Sequence, residues 1–439
     1  MTDNEFPAAE KILGDIENTI RRNPTINSFV ILPMEDSENR SPVFYQEDSL
    51  GLASWCVQPL YVYTYRRLLE YRRERHQRRE EPSTVARWLL GALLLNPNVT
   101  TFWNMRRELV RAGRLDPRDE LSLTRPVLYH TPKCFEAFSY RSWLMPHFLD
   151  VLDAAVKETI IKDELKLVQT CADRYANNYH AWSYRRYLVT MFEQLGQWQL
   201  TFKKEWNDTM DWCKRHVSDH SAYSYRQFLL RKFMLKVITS GKETDIIRIC
   251  SPHYGTNHFM RKHNLDVHEE MLIKRINQAM YYECDDFTPD YARKLKIYML
   301  ALTFWTEECC FIVNYVCKYT DHEILWCHFR FLGHLLAVLT TAYAKHACYR
   351  YDDFWYAHCY DKSSLASLLP PQRPLDVSDD LFMAAHVMLI RTFCSTRLID
   401  ADPAVLTSYE NGLLDKFCKY LERIGLSSEL ALYDFTTPR

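Results

Sequence analysis

Asn178-Tyr179-His180-Ala181-Trp182-Ser183-Tyr184-Arg185-Arg186-Tyr187-Leu188 is the stretch on which the fold turns, because weaker copies of it recur on both sides. Aligned on an aromatic residue three positions before an arginine, the copies are Trp103 with Arg106, Phe138 with Arg141, Trp182 with Arg185 and Tyr223 with Arg226. A degraded fifth copy lies at Trp326, where Phe329 stands in the arginine position and Arg330 follows. The first four anchors are 35, 44 and 41 residues apart. Periods of this size belong to helical-hairpin repeats, in which each unit buries its apolar face only against its neighbours. The expected fold class is all-α, a right-handed α-α superhelix (solenoid) of helical hairpin repeats.

Composition agrees with that reading. The 439 residues are 47% hydrophobic and 25% charged, and only 10 are glycine. Strand-like alternation is scarce, so helices are expected nearly throughout. A net charge of −1 gives no global field to attract nucleic acid or an anionic membrane. Met1-Thr2-Asp3-Asn4-Glu5 has no apolar run of the secretory type, and the most apolar stretch, 331–344, is broken by His334. That stretch is shorter than the roughly 20 residues a spanning helix needs. No stable membrane insertion is expected, and the expected location is the cytoplasm. The 14 cysteines are scattered through helical patterns and read as buried reduced thiols.

The expected organisation has three parts. Residues 1–57, punctuated by Pro7, Pro24, Pro33 and Pro42, read as an irregular N-terminal arm. Residues 58–345 read as the repeats, with helices near 98–112, 133–145, 178–190, 219–232 and 322–335 and an insertion near 238–290. Residues 346–439 read as C-terminal capping helices over 379–397 and 404–424, after the proline-rich Leu369-Pro370-Pro371-Gln372-Arg373-Pro374. Asn96, Thr131, 176–178 and Ser218-Asp219 supply polar residues just before successive aromatic faces, as helix caps do. The charged run Arg72 to Glu81 reads as a solvated helix face.

An aromatic residue and an arginine three positions later share one helix face. The ring fills the gap between hairpins, while the guanidinium satisfies either the carbonyl ends of a neighbouring helix or a partner's carboxylate. No phosphate-binding glycine loop, zinc-protease motif or nucleophile elbow is present in the sequence. His253, His258, His263 and His268 recur every five residues, but five residues turn a helix by about 140° and scatter the side chains. The spacing of Cys309, Cys310, Cys317, Cys327 and His328 matches no zinc module. No metal site and no catalytic residue are expected in this chain.

The phrase at 178–186 closely resembles the Asn-Tyr-x-x-Trp-x-x-Arg repeat of protein prenyltransferase alpha subunits. The likeness covers roughly 84–230 well and the Trp326 copy weakly. Arg21-Arg22-Asn23-Pro24, Asn39-Arg40-Ser41-Pro42, Ser54-Trp55-Cys56-Val57 and Val217-Ser218-Asp219-His220-Ser221 are similar to one branch of that family, regarded as alpha subunits of a third type of protein geranylgeranyltransferase. The resemblance implies a non-catalytic alpha subunit that scaffolds a Rab-type geranylgeranyltransferase beta subunit. That partner would hold the zinc and the geranylgeranyl diphosphate, and would modify a cysteine of a trafficking protein such as a Rab or a farnesylated SNARE. It implies no cofactor in this chain.

By the same resemblance, Trp103, Arg106, Phe138, Arg141, Trp182, Arg185, Tyr223, Arg226 and Trp326 are expected in the repeats and at the beta-subunit interface. Lys133, Glu136, Asn178, Tyr179 and His180 are expected at the active-site rim. In the farnesyl enzyme a lysine precedes the Asn-Tyr-His phrase and reaches the diphosphate; Asn177 stands there in this chain and brings no charge. Glu136 stands where that enzyme's glutamine binds the acceptor's C-terminal carboxylate, so like charges would oppose a C-a-a-X acceptor. The alternative reading is a helical-repeat protein-binding scaffold without an enzyme partner.

Overall fold

The computed structural model describes residues 6–35, 41–74, 80–149, 152–194, 198–239, 301–348 apart from 302–303, 306–307, 310, 313 and 317, and 407–423. The chain divides into two compact units, Met1–Gly196 and Gln197–Arg439.

The first unit opens with α1 (Ala9–Arg22), then β1 (Ser28–Leu32), β2 (Val43–Gln46) and β3 (Ser49–Ala53). This corrects the expectation of an irregular arm. Pro7, Pro24, Pro33 and Pro42 all lie just outside these elements, where a missing N–H costs nothing, so they bound structure rather than break it. Ile12, Leu13 and Ile16 recur at helical spacing and are buried. The strands form a sheet of order β1-β3-β2, with β1 parallel to β3 (Ser28 opposite Ser49) and β2 antiparallel to it (Gln46 opposite Ser49). Glu47 and Asp48, at φ 47° and 60°, make the tight β2–β3 turn, whose two central residues must both be left-handed. Asp48 Oδ1 accepts bonds from Thr25 Oγ1 at 2.6 Å and the Tyr45 hydroxyl at 3.1 Å.

Helices follow in pairs: α2 (Ser54–Arg73), α3 (Pro82–Leu95), α4 (Thr100–Arg111), α5 (Pro117–His130), α6 (Phe135–Leu149), α7 (Ala154–Arg174) and α8 (Tyr179–Gln194). Pro82 and Pro117 occupy first-turn positions, and Asp116 and Asp153 accept from Arg118 N and Val156 N at 2.8 and 2.9 Å. The first helices α3, α5 and α7 lie side by side, as do the second helices α4, α6 and α8, with the apolar core between the layers. The all-α class of tandem helical hairpins holds, with the small N-terminal sheet added to it.

The capping expectation is met in part. Asn178 accepts from Ala181 N at 3.1 Å ahead of α8. Before α6 the cap is the Cys134 thiol, which accepts from Ala137 N at 3.4 Å, rather than Thr131. Asn96 bonds Asn98 N at 3.3 Å in the turn, and Val99 precedes α4 with no side-chain cap.

The second unit contains α9 (Trp198–Arg215), α10 (His220–Thr239), helical residues between 301 and 316, α11 (Glu323–Cys348) and α12 (Ser408–Arg423). Asp219 caps α10, accepting from Ser221 N and Ala222 N at 3.0 and 3.1 Å. Phe417 of α12 stacks on Phe329 of α11 at 4.5 Å. The expected insertion at 238–290, apart from its first two residues, the histidine run inside it and the helix at 379–397 lie outside the described residues. Among the described residues no helix is long and apolar enough to cross a membrane.

Candidate functional site

Two arrangements of polar side chains stand out: a buried arginine lattice and an exposed aromatic rim. In the lattice, Arg106 holds Glu120 with two bonds of 2.6 Å and gives a third, of 3.1 Å, to the Ala86 carbonyl. The Tyr140 hydroxyl donates to the same carboxylate at 2.7 Å. Arg141 repeats the pattern, with Nε 2.7 Å from Glu164 Oε2, Nη2 on Oε1, and Nη1 on the Leu121 carbonyl at 2.6 Å and on Thr124. Tyr184 then donates to Glu164 at 2.8 Å.

In the second unit Arg226 holds Glu308 through Nε at 2.9 Å and through Nη2, and reaches the Trp206 carbonyl at 2.8 Å and Thr209 at 2.9 Å. Here His328 takes the tyrosine's place, its Nε2 2.8 Å from Glu308. In all three sets the carbonyl lies 20 residues before the arginine, and the tyrosine or histidine lies 20 residues after the glutamate. Burial pushes the Glu308 carboxyl up, but Arg226 and His328 outweigh it and hold the group at about 2. A charge pair this far from water is tolerable only with each donor and acceptor matched, and each pair here joins one hairpin to the helix that follows it.

This geometry corrects the interface expectation for the repeat residues. Arg141 and Arg226 are 0% exposed, Arg106 and Arg185 3% and 4%, and Trp103, Phe138, Trp182, Tyr223 and Trp326 are buried with them. Such side chains have no surface to offer a partner. Trp103 and Trp326 instead donate to the Pro97 and Thr320 carbonyls at 2.7 and 2.8 Å. In the fifth copy the ion pair gives way to the Phe329–Phe417 stack, and Arg330 turns to the Cys327 sulfur at 3.0 Å. Of the cysteine and histidine group, His328 thus belongs to the lattice and Cys309 to the core.

The rim is built where α6 and α8 begin. Phe135 and Tyr179 are 56% and 59% exposed, unusual for aromatic rings, and each is the first residue of its helix. The His180 ring lies 5.3 Å from Phe135 and 5.7 Å from Tyr179. Lys133 places its ammonium 4.5 Å from the ring centre of Tyr175, itself exposed. Glu136 accepts from Thr100 at 3.2 Å and sits in the first turn of α6, where the helix dipole favours an anion. Burial, then Lys133, pushes His180 below its ordinary pKa against the pull of Glu136, so the imidazole is neutral at pH 7.

Lys133, Glu136, Tyr179 and His180 are therefore brought together where α6 and α8 begin. Asn178 is not among them: it is 0% exposed, and its amide donates to the Pro132 and Cys171 carbonyls at 2.6 and 3.2 Å. It positions Tyr179 instead of facing solvent. Asn177 has φ 54°, a left-handed conformation that asparagine tolerates better than lysine. Phe135 and Tyr175 are missing from the sequence reading; the 44-residue repeat offset, which sets Phe135 in phase with Tyr179, is the signal that finds the first. Exposed rings with one ammonium, one carboxylate and one neutral imidazole are the chemistry of a contact surface. Among the described residues no cluster of histidine, cysteine and carboxylate side chains is placed to hold a metal.

Comparison with known proteins identifies the repeats. The sequence matches the family model described as the protein prenyltransferase alpha subunit repeat over residues 117–148, 161–192 and 202–233. These segments correspond to the hairpins α5–α6, α7–α8 and α9–α10. The chain is similar to protein prenyltransferase alpha subunit repeat-containing protein 1-B of Xenopus laevis, 30% identical over 355 residues, which are 77% of this chain and 75% of that protein. It is 34% identical to the 1-A protein of Xenopus laevis over 271 residues, a match that spans 56% of this chain and 61% of that relative's length. A weaker similarity, 27% over 154 residues, covers 34% of this chain and 45% of the geranylgeranyl transferase type-2 subunit alpha of Saccharomyces cerevisiae.

Proposed function

We propose that this chain, which belongs to the protein prenyltransferase alpha subunit repeat family, acts in the cytoplasm as the non-catalytic alpha subunit of a heterodimeric protein geranylgeranyltransferase. Its partner is a Rab-type beta subunit, and its acceptor is the cysteine of a trafficking protein, a Rab or a farnesylated SNARE. The observation that carries this reading is the aromatic rim at the starts of α6 and α8, where Phe135 and Tyr179 stand exposed. The similarity to a type-2 geranylgeranyl transferase alpha subunit supports the choice of lipid.

In this reading the zinc and the geranylgeranyl diphosphate belong to the beta subunit, and they supply the activation of the acceptor thiol and the prenyl group. The residues of this chain order that partner and border its site. Phe135 and Tyr179 offer ring faces to the prenyl chain or to the acceptor peptide, and His180 stays neutral between Lys133 and Glu136. Glu136 repels a free C-terminal carboxylate, which turns the complex away from C-a-a-X acceptors.

The test is transfer of labelled geranylgeranyl to cytosolic proteins by the full chain co-expressed with the Rab-type beta subunit. Replacing Phe135 and Tyr179 together by alanine is expected to lower transfer about tenfold or more without loss of folding, by the usual weight of exposed aromatic anchors. Transfer at the wild-type rate by that variant would refute the rim assignment.

A further inference from the structure

Two adjacent arginines on α4 lead opposite lives. Arg106 points inward and is matched by Glu120, whereas Arg107 points outward and is half-buried without a carboxylate. Arg111, one turn further along the same face, is exposed and also lacks one. Among the described residues neither guanidinium forms an ion pair. Both lie instead against the indole of Trp143 on α6, at 5.8 and 5.3 Å from the ring centre, and Arg107 also sits 5.5 Å from the ring of Tyr140.

Arg107 is held in place. Its Nη1 donates to Asn104 Oδ1 at 2.7 Å and its Nη2 reaches Ser139 Oγ at 3.4 Å. Burial, and after it the charge of Arg111, pushes the Arg107 guanidinium below its ordinary pKa despite the opposing pull of Tyr140. Two like charges one helical turn apart repel. The dipole at the C-terminal end of α4 favours a cation at Arg111, but it gives no reason to half-bury a second one beside it.

We propose that Arg107, Arg111 and Trp143 form a docking site for a carboxylate-bearing segment of the protein partner. A guanidinium fork matches a carboxylate with two parallel bonds, and a ring stack lowers the entropy lost on forming them. Tryptophan and arginine are the residues enriched where protein interfaces gain most of their energy, and a half-buried arginine held on an indole suits a protein surface better than a mobile lipid headgroup. With a net charge of −1, the chain has no general basic field, so the attraction is local. The partner's identity rests on the alpha-subunit reading; the anion site does not.

The test therefore has two arms on the full chain. In the first, a glutamate-rich peptide and, separately, inorganic diphosphate are titrated into wild type, R111Q and the double variant R107Q/R111Q. The peptide is expected to bind, and to bind wild type about tenfold more tightly than R107Q/R111Q, with R111Q between, at unchanged thermal stability. No peptide binding, or diphosphate bound more tightly than the peptide, overturns the proposal. In the second arm, pairing with the Rab-type beta subunit is measured at low and high salt. The double variant is expected to weaken pairing about tenfold at low salt and to flatten its salt dependence. Equal affinity and equal salt dependence overturn the proposal. Should wild type not pair at all, the alpha-subunit reading fails and the peptide arm decides the site by itself.

Discussion

Replacing Glu164 by glutamine probes the lattice at its most enclosed point in the first unit. Glu164 is 1% exposed, Arg141 0%, and the carboxylate takes two bonds from Arg141 and a third, of 2.8 Å, from Tyr184. Glutamine keeps the shape and one acceptor but loses the charge, and its amide nitrogen is set against a guanidinium N–H. Arg141 is then a buried cation without a counter-charge, left with one neutral amide oxygen, Thr124 and the Leu121 carbonyl. Removing one partner of such a pair costs about 3–5 kcal/mol. For a unit of this size about 1 kcal/mol moves the midpoint by roughly 2–4 °C, so the first unit should melt roughly 6–20 °C lower. The assay is urea and thermal unfolding of the full chain followed by circular dichroism, with Arg141→Met/Glu164→Leu as the companion. That pair removes both charges together and should recover most of the loss, giving a coupling of about 2 kcal/mol or more in the cycle. A cost below about 1 kcal/mol for Glu164→Gln, or additive effects, would refute the reasoning.

Three further outcomes are expected. Gly91→Ala would place a methyl carbon 2.3 Å from Leu13 Cδ2, so the buried Leu13 side chain must leave its present rotamer at a cost of about 1–3 kcal/mol, offset in part by the better helix propensity of alanine; a melting temperature raised by the full propensity gain would contradict that close approach. Asn178→Ala removes the α8 cap and two buried amide bonds, and should cost about 2–3 kcal/mol by chemical unfolding, whereas a loss of a few tenths would show the amide to be idle. Acid should unfold the second unit through two groups of the same sign: burial pushes His328 below its ordinary pKa, and Glu308 sits at about 2. Both bind protons more readily in the unfolded chain, so their stabilisation is full above about pH 6.5 and is lost as pH falls, the Glu308 share between about pH 4.3 and 2. His328→Tyr, which restores the tyrosine found in the other sets, should remove the loss that begins near pH 6.5; an identical pH–stability curve would refute this assignment.

The repeat architecture was legible in the sequence because a tryptophan and an arginine three residues apart can share a buried face only on a helix, and their recurrence at 35 to 44 residues leaves room for one hairpin per unit. The glutamates that complete the lattice were not legible. They lie 14, 23 and 82 residues after Arg106, Arg141 and Arg226, so no fixed spacing ties them to the arginines, although the 20-residue step from glutamate to tyrosine or histidine is constant. The N-terminal sheet escaped notice because its strands are only 4 to 5 residues long and flanked by prolines, too short for a period of two to stand out. At the rim, the residue types were readable but burial was not: Asn178 and Tyr179 are neighbours in one phrase, and the helix start turns one into the core and the other into solvent. The same holds for Arg106 and Arg107.

The central claim is that this chain is one half of a prenyltransferase. The most direct measurement is the native mass of the full chain co-expressed with the Rab-type beta subunit, taken on the purified material together with its transfer of labelled geranylgeranyl to protein. A one-to-one complex that transfers the label is the predicted result; two separate proteins, with no transfer beyond that of the beta subunit alone, would contradict the claim.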